Sequence, residues 1–390
     1  MRVTHVITRL IIGGAQENTA ASVLGLARLP GLQVDLISGP TFGPEGSLEP
    51  ELSQTGLLTI APDLIRNPQP WRDFLAYRWL ARRFLQTAPF IVHTHSGKAG
   101  ILGRMAARRA RTPIIIHTIH GPSFGPFQGV SANFLFRAAE RHVGRYTTMF
   151  VTVSNAMTRQ YLQAGIGEPE RYRRIFSGFD VESFACSKND MALRMKLGIG
   201  PEDLVIGKIA RLFELKGHDD LFAIAPKLIA QFPNLRFLFV GDGLWRERLE
   251  AKASALNLQK HFVFAGLVPP GEVCRYVGIM DALVHLSLRE GLPRALPQAL
   301  AARKPVVAYE CAGAGEVCLD GQTGFLIQPG DIASLSSRLA QLLGDAGLRQ
   351  NLGKRGQSMV FELFPTEKMV AELERLYFEL ASGRPLAKSQ

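Results

Sequence analysis

Short aliphatic and β-branched runs alternate with longer stretches of helical character along almost the whole chain. Residues 3–8, 34–37, 91–93, 114–118 and 149–153 read as strands, each followed by Gly, Ser or Pro punctuation and then by a helix. The pattern pauses between residues 176 and 200, around Ser187-Lys188-Asn189-Asp190, and restarts. The second set of strands is 205–210, 235–240, 261–264, 282–286 and 305–308. Strand–helix alternation predicts parallel sheets covered on both faces. Two sets predict an α/β protein of two doubly wound, Rossmann-like domains facing each other across a cleft, one over residues 1–180 and one over 181–364. A final helix is expected near 367–380, where Val370, Leu373, Leu376, Tyr377 and Leu380 recur at helical spacing. The last ten residues read as a polar tail.

Composition narrows the class. A length of 390 residues suits two domains, and 46% apolar with 20% charged residues is ordinary for a globular chain. No apolar run approaches the ~20 residues of a membrane-spanning helix. The short apolar stretch Leu10-Ile11-Ile12 has no small-residue cleavage site after it, so the N-terminus reads as a mature strand and loop, not a leader. Cys186, Cys274, Cys311 and Cys318 are scattered without a Cys-x-x-Cys pair, as expected of reduced thiols in a cytoplasmic protein.

The net charge of +11 is unevenly placed: residues 1–180 hold 20 Lys/Arg and 11 Asp/Glu, the remainder 25 and 23. Residues 66–111 carry ten basic side chains and one acid, Asp73. Trp71, Phe74, Tyr77, Trp79, Leu80, Phe84 and Leu85 interleave there with Arg72, Arg78, Arg82 and Arg83. Such a segment suits peripheral contact with an anionic membrane, or equally a solvated basic helix whose aromatics face the core. No nucleic-acid-binding module accompanies the charge, so no nucleic-acid partner is expected.

Ligands of doubly wound sheets bind beyond the carboxyl ends of the strands. After strand 205–210 come Arg211 and then Lys216-Gly217-His218, two cations in a loop that leads into a helix, a setting suited to a diphosphate. After strand 235–240 comes Gly241-Asp242-Gly243, where glycine lets the backbone turn sharply beside a ligand. After strand 282–286 comes Glu290-Gly291-Leu292-Pro293-Arg294-Ala295-Leu296-Pro297-Gln298. Both prolines fit the start of a helix, whose first N–H groups lack intrahelical partners. Glu290 therefore precedes the helix, with Gln298 one to two turns inside, and the amides of Gly291 and Leu292 are placed to meet a ligand. Residues 321–326 read as a hairpin-like return. No G-x-G-x-x-G stands at a strand end, which argues against a dinucleotide oxidoreductase.

These motifs, in this order, resemble the retaining glycosyltransferases of family 4, which have the GT-B fold. The run is Arg211…Lys216-Gly217, Gly241-Asp242-Gly243, Glu290-Gly291-Leu292-Pro293, Pro305-Val306-Val307-Ala308 and Gly313-x-x-Glu316…Gly321-x-x-Gly324. In the first half Gly13-Gly14-Ala15-Gln16, the segment from His93 to Gly100, His117-Thr118-Ile119-His120-Gly121 and Ser177-Gly178-Phe179-Asp180 match. The resemblance implies that Arg211 and Lys216 neutralise a donor diphosphate, that Glu290 contacts the transferred sugar and that position 298 holds the ribose. It implies a closing loop at Gly13 and Gly14, His120 near the reacting sugar, His95 and Lys98 on the acceptor side, and His93 and His117 as structural groups. It also implies that the final helix, 365–382, returns to the N-terminal domain.

The sequence departs from the family at Gln298, where a second glutamate is usual, and at Arg303, where glycine is usual. A glutamine keeps one amide oxygen for a ribose hydroxyl but loses charge and bidentate acceptance. No Asp-x-Asp occurs, and no metal or other cofactor is expected. The reading that follows is transfer of a sugar from a UDP- or GDP-sugar to a glycan or lipid-linked acceptor, in bacterial surface polysaccharide or lipopolysaccharide synthesis, in the cytoplasm or peripherally on the inner face of its membrane. A nucleotide-sugar epimerase of the same fold and a non-catalytic nucleotide-sugar-binding protein are the alternatives.

Overall fold

The computed structural model describes residues 1–43, 45–125 and 127–383; most of the expected polar tail, from residue 384 onward, lies outside the described residues. The chain divides into two compact units, one of Met1–Phe179 together with the segment from Thr366, the other Asp180–Pro365.

The first unit is built on seven parallel strands: β1 (Arg2–Ile7), β2 (Gln33–Ser38), β3 (Leu58–Ile60), β4 (Ile91–His95), β5 (Ile114–Ile119), β6 (Met149–Thr152) and β7 (Tyr172–Arg174), in the order β3-β2-β1-β4-β5-β6-β7. The second has six: β8 (Leu204–Ile209), β9 (Leu235–Val240), β10 (Phe262–Gly266), β11 (Ala282–His285), β12 (Val306–Tyr309) and β13 (Gly324–Ile327), in the order β10-β9-β8-β11-β12-β13. Strands β4, β5, β6, β11 and β12 are buried at every position, which is why their sequences run apolar or β-branched without alternation.

In each sheet the order reverses once, between β1 and β4 and between β8 and β11. A crevice opens beyond the carboxyl ends of strands at such a reversal. The loops after β1, β4, β8 and β11 are therefore where each unit is prepared to bind.

The final helix, Thr366–Ala381, buries Met369, Val370, Leu373, Leu376 and Tyr377 in the core of the first unit, beside Val3, Ile7, Val23 and Leu26. Residues 321–326 do not form a hairpin: β13 pairs in parallel with β12, reached by a turn at Gly321. Strands β3 and β7 are three residues each, polar in part, and carry no periodicity long enough to read.

Candidate active site

The loop after β8 is fixed to two others before it delivers any side chain. The Ala210 and Leu212 amides donate to the carbonyls of Val240 and Asp242 at 3.0 and 2.9 Å, joining the loop to Gly241-Asp242-Gly243. Gly241 has φ 131°, and a Cβ there would stand 2.2 Å from the Ala210 carbonyl oxygen, so only glycine permits this approach. Farther along, Leu215 holds a left-handed φ of 64° and its carbonyl accepts from the Leu288 amide at 2.8 Å. A non-glycine residue in this region is strained and must be held by its surroundings. Gly217 follows at φ 60°, where a Cβ would fall 2.2 Å from the Leu286 carbonyl oxygen.

That double anchoring carries Lys216 across the mouth of the sheet from β8 to the loop after β11. Its ammonium donates to Glu290 Oε1 at 2.5 Å and to Ser287 Oγ at 3.3 Å. His285 Nε2, at the end of β11, lies 3.4 Å from the same carboxylate oxygen. Burial alone raises the pKa of Glu290, but Lys216 and His285 outweigh it and hold the carboxyl well below its usual range. A second cation lies beneath: Lys208, 2% exposed on β8, is pulled down to about 7 by burial and by Lys216, against the opposing pull of Asp220 and Glu290.

Arg211 keeps its guanidinium exposed, stacked 5.2 Å over the Phe213 ring. Its carbonyl accepts from His218 Nε2–H at 3.1 Å. Burial lowers the pKa of His218 to about 3, so the ring is neutral and this bond fixes its tautomer. Asp242 pairs with Arg246 at 3.1 Å. Gly291 accepts at its carbonyl from the Gly313 amide at 3.0 Å, and Leu292 is buried. The helix Ala295–Ala301 buries every side chain except Gln298.

In the first unit Gly13 is extended, φ 171°, and caps the helix Gly14–Ala27. Lys98 is occupied by Asp73 at 2.5 Å and by the Asn67 carbonyl at 2.6 Å. His95 is 1% exposed, with one ring nitrogen 2.9 Å from His5 Nδ1 and the other 3.0 Å from His120 Nε2. Any influence of His95 on an acceptor therefore runs through His120. His93 bonds to Tyr377 Oη and Thr118 Oγ1, and His117 to Thr94 Oγ1. Ring nitrogens of His5, His93 and His95 lie within 4.8 Å of one another, the one group among the described residues dense enough to hold a metal ion.

The group 1 glycosyl transferase pattern matches residues 190–359, and that of the glycosyl transferase 4-like domain matches residues 13–178. The chain belongs to glycosyltransferase family 4, with the GT-B fold. This glycosyltransferase is 27% identical to the UDP-Gal:alpha-D-GlcNAc-diphosphoundecaprenol alpha-1,3-galactosyltransferase of Escherichia coli, over 98% of each chain. It is 26% identical to the GDP-mannose-dependent alpha-(1-6)-phosphatidylinositol monomannoside mannosyltransferase of Mycolicibacterium smegmatis, over 96% of each. Among solved structures, Anabaena HepE in complex with UDP-glucose superposes with a TM-score of 0.81 at 21% identity, covering 97% of this chain and all of that one.

Of the residues read from the sequence, the structure of the glycosyltransferase brings Lys216 onto Glu290 directly, and Arg211 onto the Gly241–Gly243 turn through the backbone. Four groups were missed, His285 at the end of β11 among them. Lys208 was hidden in an apolar strand; His5 likewise, although a histidine inside a buried run was a signal. Tyr377 meets His5 from 372 residues away, which spacing cannot reveal. The basic segment also resolves differently from its sequence. Arg104 is fully buried against Glu140 at 2.6 Å and is no part of an open surface, and Arg83 is half-buried with its Nε enclosed. On the helix Pro70–Thr87, Leu80 and Phe84 enter the core, whereas Trp71 is 70% exposed and Phe74 lies open beneath Arg78. A second apolar face, unsuspected from the sequence, is formed by Val130, Phe134 and Leu135 on the helix Val130–Gly144.

Proposed function

We propose that the second unit binds a nucleotide-diphosphate sugar at Lys216, Arg211 and Glu290, and that the enzyme transfers the sugar, with retention of anomeric configuration, to a lipid-linked acceptor. The observation that carries this reading is the Lys216–Glu290 pair, spanning the loops at the β8/β11 reversal. A cation already poised by a carboxylate needs little reorganisation when a diphosphate arrives. As the sugar–phosphate bond breaks, negative charge develops on the departing phosphate, and Lys216 and Arg211 stabilise it. Lys208 beneath them adds positive potential to the same pocket below a pH of about 7. Glu290, held ionised, accepts hydrogen bonds from sugar hydroxyls, and Gln298 accepts one from the ribose. The departing phosphate takes the acceptor's proton, so no protein base is required. The acceptor is assigned to the first unit, on the side of His120.

The relatives named above use UDP-galactose and GDP-mannose on lipid acceptors, which favours a polyprenyl-diphosphate- or glycolipid-linked acceptor and a place in surface polysaccharide synthesis. Among the described residues no helix is long and apolar enough to cross a membrane, so access to such an acceptor falls to a surface. Trp71, Phe74, Arg72 and Arg78, together with Phe134 and Leu135, supply apolar anchors and cations in one unit. Anionic vesicles should bind the protein, and Trp71→Ala with Arg72→Ala and Arg78→Ala should weaken this; equal binding to neutral vesicles would remove the membrane assignment.

The deciding experiment is incubation with UDP- and GDP-hexoses and a polyprenyl-diphosphate-linked sugar, with the product's anomeric configuration read by NMR. An α-linked product from an α-linked donor supports the proposal. A β-linked product contradicts retention, and an isomerised nucleotide sugar formed without acceptor makes the enzyme an epimerase.

A further inference from the structure

Behind His120 the first unit contains an unbroken chain of hydrogen bonds through three buried, neutral histidines. It runs from Thr118 Oγ1 to His93 Nε2 (2.6 Å), from His93 Nδ1 to Tyr377 Oη (2.5 Å), and from Tyr377 Oη to His5 Nε2 (3.2 Å). It continues from His5 Nδ1 to His95 Nε2 (2.9 Å) and from His95 Nδ1 to His120 Nε2 (3.0 Å). His5, His93, His95 and Tyr377 are at most 1% exposed. The adjoining cavity, lined by Asn18, Ser22, His93, His95, Thr118 and Met369, measures about 10 Å³, at the lower limit for a single water. Every link is a direct contact, with no water between partners.

We infer that this chain sets the tautomer of His120, with Tyr377 on the final helix as the positioning residue that decides it. A neutral imidazole has one N–H and one acceptor nitrogen, so each ring must pass on the polarity that it receives. Only two arrangements satisfy every member. In one, all four histidines carry the proton on Nε2; in the other, all four carry it on Nδ1. Tyr377 selects between them. A hydroxyl donor makes a shorter bond than a ring N–H, so the 2.5 Å contact is Tyr377 O–H donating to His93 Nδ1, and the 3.2 Å contact is His5 Nε2–H donating to Tyr377. The Thr118 contact does not discriminate, because its hydroxyl rotates to donate or accept. The Nε2–H set follows, and His120 donates its Nε2–H inward to His95 Nδ1.

Burial keeps the chain neutral: His5 is lowered to about 3, and His93 and His95 fall well below the usual histidine value. A protonated ring would break the alternation, so this neutrality is what lets one end report to the other. A metal on His5, His93 and His95 would need ring nitrogens that these hydrogen bonds already occupy.

The catalytic consequence rests on the function proposed above, but the tautomer does not, so the two are tested separately. Nitrogen-15 correlation spectra of histidine-labelled protein should show His5, His93, His95 and His120 all as Nε2–H tautomers. In Tyr377→Phe, His5 Nε2–H loses its acceptor and His93 Nδ1 its donor, and the His120 resonances should move toward a tautomer average. In Thr118→Val, His93 Nε2 faces a methyl group, and because an orphaned buried N–H is rarer than an orphaned acceptor, the whole set should switch to Nδ1–H. On a confirmed donor and acceptor, kcat should fall about tenfold in both variants, with the donor KM unchanged. Unaltered His120 resonances in both folded variants would overturn the inference. So would a tetrahedral Co(II) ligand-field spectrum that His5→Ala abolishes, since the rings would then be ligands. Altered resonances with no transfer activity in the wild type would leave the chain intact and overturn the transferase reading instead.

Discussion

At the scale of single residues, the proposed donor site concentrates charge on a few atoms. Lys216 faces Glu290 at 2.5 Å, and Lys208, lowered by burial to about 7, adds positive charge to the pocket only below that pH. Arg211→Ala should lower kcat/KM by about tenfold or more, the equivalent of ~1.4 kcal/mol of lost transition-state stabilisation. Full turnover in that variant would detach Arg211 from the diphosphate. Gln298 is the departure from the family pattern that the proposed function sets against the ribose. Restoring the carboxylate with Gln298→Glu adds a charge-assisted acceptor for the ribose and should tighten UDP by up to about tenfold. An unchanged or weakened affinity by calorimetry would show that position 298 does not meet the ribose. Glu290 was legible from the sequence because a Gly-Leu-Pro and a second proline fix where its helix starts. Its depressed pKa was not, since that depends on Lys216 arriving from the loop after β8 and on His285 at the end of β11 facing the same carboxylate.

At the scale of elements, β8 carries a stability cost with a definite pH dependence. Lys208 has its pKa lowered from 10.5 to about 7, so between those values the unfolded chain binds more protons than the folded one. Stability contributed at this position therefore rises with pH from about 7 to about 10.5, and below 7 the fold must hold a buried ammonium. Lys208→Met should raise Tm most near pH 6 and progressively less toward pH 10, by denaturation at each pH; a pH-independent change would mean that the ammonium is compensated in full. The long buried strands were readable because their runs are apolar or β-branched and end on Gly, Ser or Pro. Strands β3 and β7 were not, because three residues on a sheet margin carry no period. The 321–326 segment misled for a related reason: a glycine-bounded turn looks alike whether the next strand pairs in parallel or antiparallel, and only the partner β12 decides. The basic segment 66–111 illustrates the limit of charge counting, since a guanidinium reads the same in sequence whether it is buried beside Glu140, as Arg104 is, or open to solvent, as Arg78 is.

At the scale of the whole molecule, the chain leaves the first unit at Phe179, builds the second, and returns at Thr366. The return is structural: five side chains of the final helix enter the first unit's core, and one of them, Tyr377, hydrogen-bonds His93 and His5. Leu376→Ala should cost about 2–5 kcal/mol, and the loss should appear in melting of the first unit while the second unit's affinity for UDP is retained. Loss of UDP binding in step with that melting would show that the two units do not bind independently. The central claim, a diphosphate-sugar site organised by Lys216 and Glu290, is tested most directly by calorimetric titration of UDP and UDP-hexoses into the wild-type enzyme and Lys216→Met. Saturable binding by the wild type that weakens about tenfold or more in the variant is the expected result. Equal affinity in both proteins would contradict the claim.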